Sequence, residues 1–222
     1  MEKNMKLSSD TVDVLKNFST INQNILVKEG SQLRTMSTMK NILAEADIGE
    51  TFPAEFGIYD LNEFLGVLTL VDDAELKFDN ESYLTVNGGN TKVQYFYSDP
   101  SILTTPPETF NAPECNHEFS VTSDILSRVL KASAIMQLPD VLIRTATSSV
   151  IIEATDVKNV TSNKYTLDLG ATVEDEFKFH FKADNLKMIP GNYDVKASSE
   201  ASVSNWSGKE ASYWIAMEAP VS

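Results

Sequence analysis

Residues 14–22 read VLKNFSTIN and residues 129–137 read VLKASAIMQ, the same opening tripeptide 115 positions apart in a chain of 222. Each stretch closes a longer amphipathic segment with helix-start residues ahead of it. Ser8, Ser9 and Asp10 precede Val12, Val14, Leu15, Phe18 and Ile21, which fall on one side at helical spacing. Thr122, Ser123 and Asp124 open the second segment, SVTSDILSRVLKASAIM at 120–136. The stretches after the two segments are also alike. After the first come period-two or short apolar runs that predict strands (NILVKE, NILAEADI, AELKFD, SYLTVN, KVQYFYS), with a helix at 60–68 among them. After the second come DVLIRTAT, SVIIEAT, KYTLDLG and FKFHFK, then a predicted short helix ADNLKMI at 183–189 stopped by Pro190-Gly191. YDVKASSEASVSNW and EASYWIAMEA close the chain as strands. A helix–strands–helix–strands order that occurs twice predicts two similar α+β units.

Between the two copies, residues 98–117 carry four prolines and little periodicity, which predicts a connector. The expected domains are therefore 1–98 and 118–222, joined by 99–117. Asn87-Gly88-Gly89-Asn90 predicts a hairpin turn, because glycine and asparagine tolerate positive φ.

The repeated lysine bears on function. On each helix the apolar set turns to the core, so the opposite face holds Lys16 with Asp13 in the first copy, and Asp124, Arg128 and Lys131 in the second. The predicted helix at 183–189 adds Lys187, with Lys182 just before it. The formal charge is −14, yet basic residues recur on outer helix faces. The stretch 44–63 holds six acids and no base, whereas 178–190 holds three lysines and one acid. An acidic exterior with one basic face can hold nucleic acid without base readout. Solvated lysines on a polar helix face are the plainer reading of any one of them.

Catalytic signatures are missing: no GxxxxGK[ST], no GxGxxG after a strand, no GxSxG and no HExxH. ECNHE at 114–118 gathers a thiol, an imidazole and two carboxylates, but lacks the separated ligand pairs of a metal site. Asp72-Asp73 and EDE at 174–176 read as solvated turns, with a carboxylate-based enzyme site there as a third alternative. No cofactor and no metal are expected. No apolar run approaches the ~20 residues of a membrane span. MEKNMKLSSD has no apolar signal core, and the single Cys115 forbids an intrachain disulfide. The expectation is an intracellular protein with no membrane partner.

Taken together and in order, MKLSSDTVDVLKNFSTIN, IYDLNEFLGVLTLV, YSDPS, KYTLDLG and NLKMIPGNYDV resemble the sliding clamp of T-even-type bacteriophages, from Met5 to about Ala219. The residues before Met5, the connector and the last residues, MEAPVS, depart most from that pattern. The resemblance implies a DNA-clamp fold: two similar domains, each with two helices packed on antiparallel sheets, and three subunits closing head to tail into a ring with helices lining the hole. It implies a processivity factor, without catalysis, that encircles duplex DNA and tethers the replicative DNA polymerase in the cytoplasm of the infected bacterial host. Lys16, Arg128, Lys131, Lys182 and Lys187, with Lys6 at the margin, would face DNA. Partner proteins would insert a hydrophobic C-terminal peptide near the connector, against Phe110, Pro113, Ala216 and Met217. An ATP-driven clamp loader and a role in late transcription are implied in the same way. The alternative left by the residues alone is a non-catalytic β-rich virion or interaction protein. Because the second copy replaces Asp13 by Arg128 and Phe18 by Ser133, its domain is expected to be the more basic contributor.

Overall fold

The computed structural model describes residues 4–147, 149–172 and 175–219. Met1–Lys3 before the start of the resemblance, Glu174 of the EDE run and the last residues of MEAPVS lie outside them. The chain forms two compact units, 1–108 and 109–222. The boundary falls inside the proline-rich stretch, and side-chain bonds explain where. Asn22, itself buried, donates to the carbonyls of Met36 (3.0 Å) and Thr104 (3.2 Å), and Arg34 donates to Pro107 O at 3.1 Å. Those bonds tie 104–107 to the first unit. Beyond the boundary, Phe110 packs on Trp214 with ring centroids 5.1 Å apart, and the Asn116 amide donates to Ala197 O at 3.0 Å.

In the first unit, helix α1 (Ser9–Ile21) begins where Ser8 accepts from the Thr11 amide. Glu50 closes the cap from outside the helix. It accepts from the Ser8 amide and from the Thr11 hydroxyl (2.5 Å), satisfying donors that the first turn leaves open. Burial raises the Glu50 pKa, but these bonds outweigh it and hold the carboxyl below its ordinary value. α2 (Leu61–Thr69) is capped by Asp60, which accepts from the amides of Asn62 and Glu63 at 3.0 and 3.1 Å. Val14, Leu15 and Phe18 of α1 and Leu61 and Phe64 of α2 are buried, and α1 packs on α2 and on the strand Ile42–Phe52. The strands are β1 (Asn4–Met5), β2 (Ile25–Val27), β3 (Gly30–Met36), β4 (Ile42–Phe52), β5 (Phe56–Ile58), β6 (Glu75–Lys77), β7 (Tyr83–Gly88) and β8 (Thr91–Phe96). β1-β6-β7-β8 form one antiparallel sheet with β8 at its edge; β3 and β4 form a hairpin, and β2 pairs with β5. The expected turn joins β7 and β8, with Gly89 at φ 52°. Gly88 is required by packing, since a Cβ there would lie 2.0 Å from Asp72 O.

The second unit holds β9 (His117–Val121), α3 (Ser123–Met136), β10 (Asp140–Ala146), β11 (Ser149–Thr155), β12 (Tyr165–Thr172), β13 (Lys178–Lys182), β14 (Tyr193–Ser198), β15 (Val203–Ser207) and β16 (Ser212–Ala216). β12-β11-β10-β13 form one antiparallel sheet, with β12 at its edge; β9, β14, β15 and β16 follow one another in a second. Leu126, Val129, Ala132 and Ser133 bury the inner face of α3.

The expected helix at 183–189 is not there. Among the described residues the second unit has one α-helix, not two, and only Ala183–Asn185 make a 3₁₀ turn. Two distant tyrosines explain this. The Ile189 amide donates to the Tyr213 hydroxyl at 3.1 Å, and the Ile189 carbonyl accepts from Tyr193. With both backbone groups taken, and Leu186 and Met188 buried on either side of exposed Lys187, the segment stays out of a helix as far as Pro190. Seven residues would also be short for a helix with no such competition.

Candidate nucleic-acid interface

The outer faces of the three α-helices among the described residues differ in charge. On α1 the exposed residues are Ser9, Asp10, Asp13, Lys16 and Thr20, and Lys16 is held by Asp13 at 2.9 Å. On α2 they are Asn62, Glu63, Gly66 and Thr69, with no base. α3 exposes Asp124, Ser127, Arg128, Lys131, Ala134 and Ile135. Arg128 and Lys131 stand three positions apart and so share one stripe. Arg128 lies 3.3 Å from Asp124, and Tyr165 and then Asp124 raise its pKa further, so it is a permanent cation. Lys131 makes no ion pair among the described residues. α3 is thus the one described helix whose outer face carries more bases than acids.

The remaining basic candidates are placed differently. Lys6 pairs with Asp73. Lys182 is half-buried and donates to the fully buried Asp140, which His180 Nε2 also meets at 2.8 Å. Lys187 is exposed in the non-helical segment that leads to Pro190.

The expected partner-pocket residues lie in the second unit. Phe110 is exposed but packs tilted against Trp214, and Pro113, Ala216 and Met217 are half-buried. Trp214 is not among the residues expected from the sequence. Its signal is the alternation in SYWIA: Tyr213 and Ile215 are buried, so Trp214 and Ala216 take the other face of β16.

The other chemistry considered in the sequence is engaged elsewhere. His117 packs tilted against Phe177 (4.8 Å) and edge-on against Phe179 (5.3 Å), and no group of three or more potential metal ligands gathers among the described residues. Asp73 holds Lys6, and the Asp175 carbonyl accepts from Thr145 at 3.0 Å. Among the described residues no helix is long and apolar enough to cross a membrane.

The similarity to known proteins covers nearly the whole length. Residues 7–104 match the family described as DNA polymerase processivity factor, and residues 118–219 the family described as gp45 sliding clamp, C terminal. The sliding clamp of Vibrio phage KVP40 is 37% identical over 221 residues, covering 97% of this chain and 100% of that one. The sliding clamp of Enterobacteria phage T4 is 32% identical, with 97% of each chain covered. Among solved structures, the A. fulgidus PCNA bound to the C-terminal region of FEN-1 superposes with a TM-score of 0.74 at 14% identity, covering 99% of both chains. The H. pylori beta clamp, bound to a DNA ligase peptide, gives 0.73 at 11% identity over 99% of this chain and 67% of that one. At such identities the two structures establish the fold, and the phage relatives establish the family. The β-rich virion protein and the carboxylate enzyme are both set aside: the chain belongs to the sliding clamps of T4-like phages, non-catalytic processivity factors of DNA polymerase.

Proposed function

We propose that three copies of this chain close into a ring around duplex DNA and hold the replicative polymerase to its template in the cytoplasm of the infected host. The observation that carries the reading is the α3 stripe, two cations on one helix face in a chain of net charge −14. Arg128 and Lys131 lead the contact with phosphates, and Lys187 adds to it. Lys16 contributes less, because its helix face carries Asp10 and Asp13 and no second base, whereas Arg128, though paired with Asp124, shares its stripe with Lys131; Lys6 and Lys182 lie off the α-helices and are each held by a carboxylate. A sparse lining suits a clamp that must slide. Each phosphate neutralised adds affinity through counterion release, and too many would brake the motion.

Ring closure is supported by the sheet edges. β8 ends one sheet and β12 another. Pairing β8 of one copy with β12 of the next removes both edges and is heterologous, and such contacts close into a ring of three when each turns the next copy by about 120°. A closed ring needs an ATP-driven loader to reach circular DNA. Partner peptides dock on Phe110, Pro113, Trp214, Ala216 and Met217; the peptide-bound relatives above favour such docking, and late-transcription partners would use the same surface.

Sedimentation equilibrium at micromolar concentration should give three times the chain mass. The Arg128→Glu/Lys131→Glu variant should keep that mass and lose retention on nicked circular DNA. A monomeric wild-type chain contradicts the ring, and a variant that still assembles and is retained normally contradicts the α3 assignment.

A further inference from the structure

A cavity of about 670 Å³ opens on the first unit. Residues 53–55 between β4 and β5, residues 78–81 between β6 and β7, and Tyr97 just past β8 line it. Phe78 and Tyr97 supply its apolar wall, backed by Phe56 at 5.4 and 5.3 Å from their rings. Glu55, Asp79 and Glu81 are exposed in its lining, and no lysine or arginine lines it. An aromatic seat with an acidic rim is complementary to an apolar knob flanked by cations.

The second unit carries such a knob. The turn between β11 and β12 presents Val160, 97% exposed, between exposed Lys158 and Lys164. Lys158 makes no ion pair among the described residues, and Lys164 has only Glu153, at 3.9 Å. The turn is nonetheless built rigidly. Asp156 accepts from the Lys158 amide at 2.9 Å, Asn159 from the Thr161 amide at 3.1 Å, and buried Asp140 from the Val157 amide at 3.0 Å. A preformed turn loses little freedom on docking.

Topology brings knob and seat together. The free edge of β8 runs to Phe96 and straight on to Tyr97, and the free edge of β12 starts at Tyr165, straight after Lys164. The strand pairs of both sheets are antiparallel. Continued in that sense from copy to copy, the end of β8 meets the start of β12. We infer that Val160 of one copy seats against Phe78 and Tyr97 of the next, with Lys158 and Lys164 facing Glu55, Asp79 and Glu81. The contact rests on the ring reading and adds to the strand pairing a side-chain lock, apolar at its centre and salt-sensitive at its rim.

Disulfide trapping tests it. In a Cys115→Ser background, Val160→Cys combined with Asn80→Cys should give a ladder of covalent dimers and trimers on mild oxidation. Val160→Cys combined with Asn90→Cys, at the other end of β8, should give none. Val160→Asp should weaken association about tenfold or more while leaving the circular dichroism spectrum unchanged. A ladder from the Asn90 pair alone overturns the inference. So does the absence of both ladders, or unaltered Val160→Asp association, in a chain that still sediments as a trimer, and there the ring reading survives. A monomeric Cys115→Ser parent overturns both together.

Discussion

Asp140 opens β10 fully buried, and three donors converge on its carboxylate: Lys182, His180 and the Val157 amide. Burial raises its pKa, yet these donors together outweigh burial and hold it below the ordinary aspartate value. The sign follows. A carboxyl whose folded pKa lies below its unfolded one, about 3.9, contributes stability that is complete above that value and is lost as pH falls through the folded pKa. Asp140→Asn should therefore cost about 3 kcal/mol at pH 7 in urea denaturation, because Lys182 loses its buried counter-charge. It should also flatten the acid branch of the stability profile below about pH 4. Parallel acid branches for the two proteins would contradict this. Phe18 and Ser133, matched across the repeat, give a second contrast. Phe18 fills its core completely, whereas Ser133 is buried as a hydrogen-bond donor to Leu138 O at 2.6 Å. Denaturant unfolding should show a loss of about 4 kcal/mol for Phe18→Ala and about 1 kcal/mol for Ser133→Ala.

At the scale of the element, much of the architecture was legible because local signals agreed. Ser8, Asp60 and Thr122 cap the three helices as their positions predict, and the apolar stripes behind them are the buried faces. The helix expected at 183–189 fails for a non-local reason, because nothing within ADNLKMI reveals that Tyr193 and Tyr213 will claim both backbone groups of Ile189. The start of β9 is hidden inside the proline-rich connector for a related reason: its register is set by β14, with Val195 opposite Phe119. For the site, the bases on helix faces and their local partners Asp13 and Asp124 could be read from periodicity, but the carboxylates that hold Lys6 and Lys182 could not. Asp73 and Asp140 come from distant positions in sequence. The end of α3 offers a further prediction. Gln137 sits in the left-handed region at φ 54° and is exposed. Gln137→Gly should relieve that backbone and raise stability by about 1 kcal/mol, read as a higher denaturation midpoint at unchanged slope. A lower midpoint would mean that the side chain contributes more than the backbone costs.

For the whole molecule, the distribution of charge matters more than its sum. A net charge of −14 repels DNA from most of the surface, and α3 is the described helix on which that sign reverses. The expectation that the second domain is the more basic contributor then has a physical form: α1 and α2 act as near-neutral or acidic spacers between α3 stripes around the proposed ring. Retention on DNA should accordingly fall far more for Arg128→Glu/Lys131→Glu than for Lys16→Glu, whose lysine is the lone base on a face with Asp10 and Asp13. The most direct test is primer extension on primed circular DNA with the cognate polymerase, loader and ATP. Adding the chain should lengthen the products of single binding events many-fold, and the Arg128→Glu/Lys131→Glu variant should forfeit most of the gain. Products of unchanged length with the wild-type chain present would contradict the clamp function.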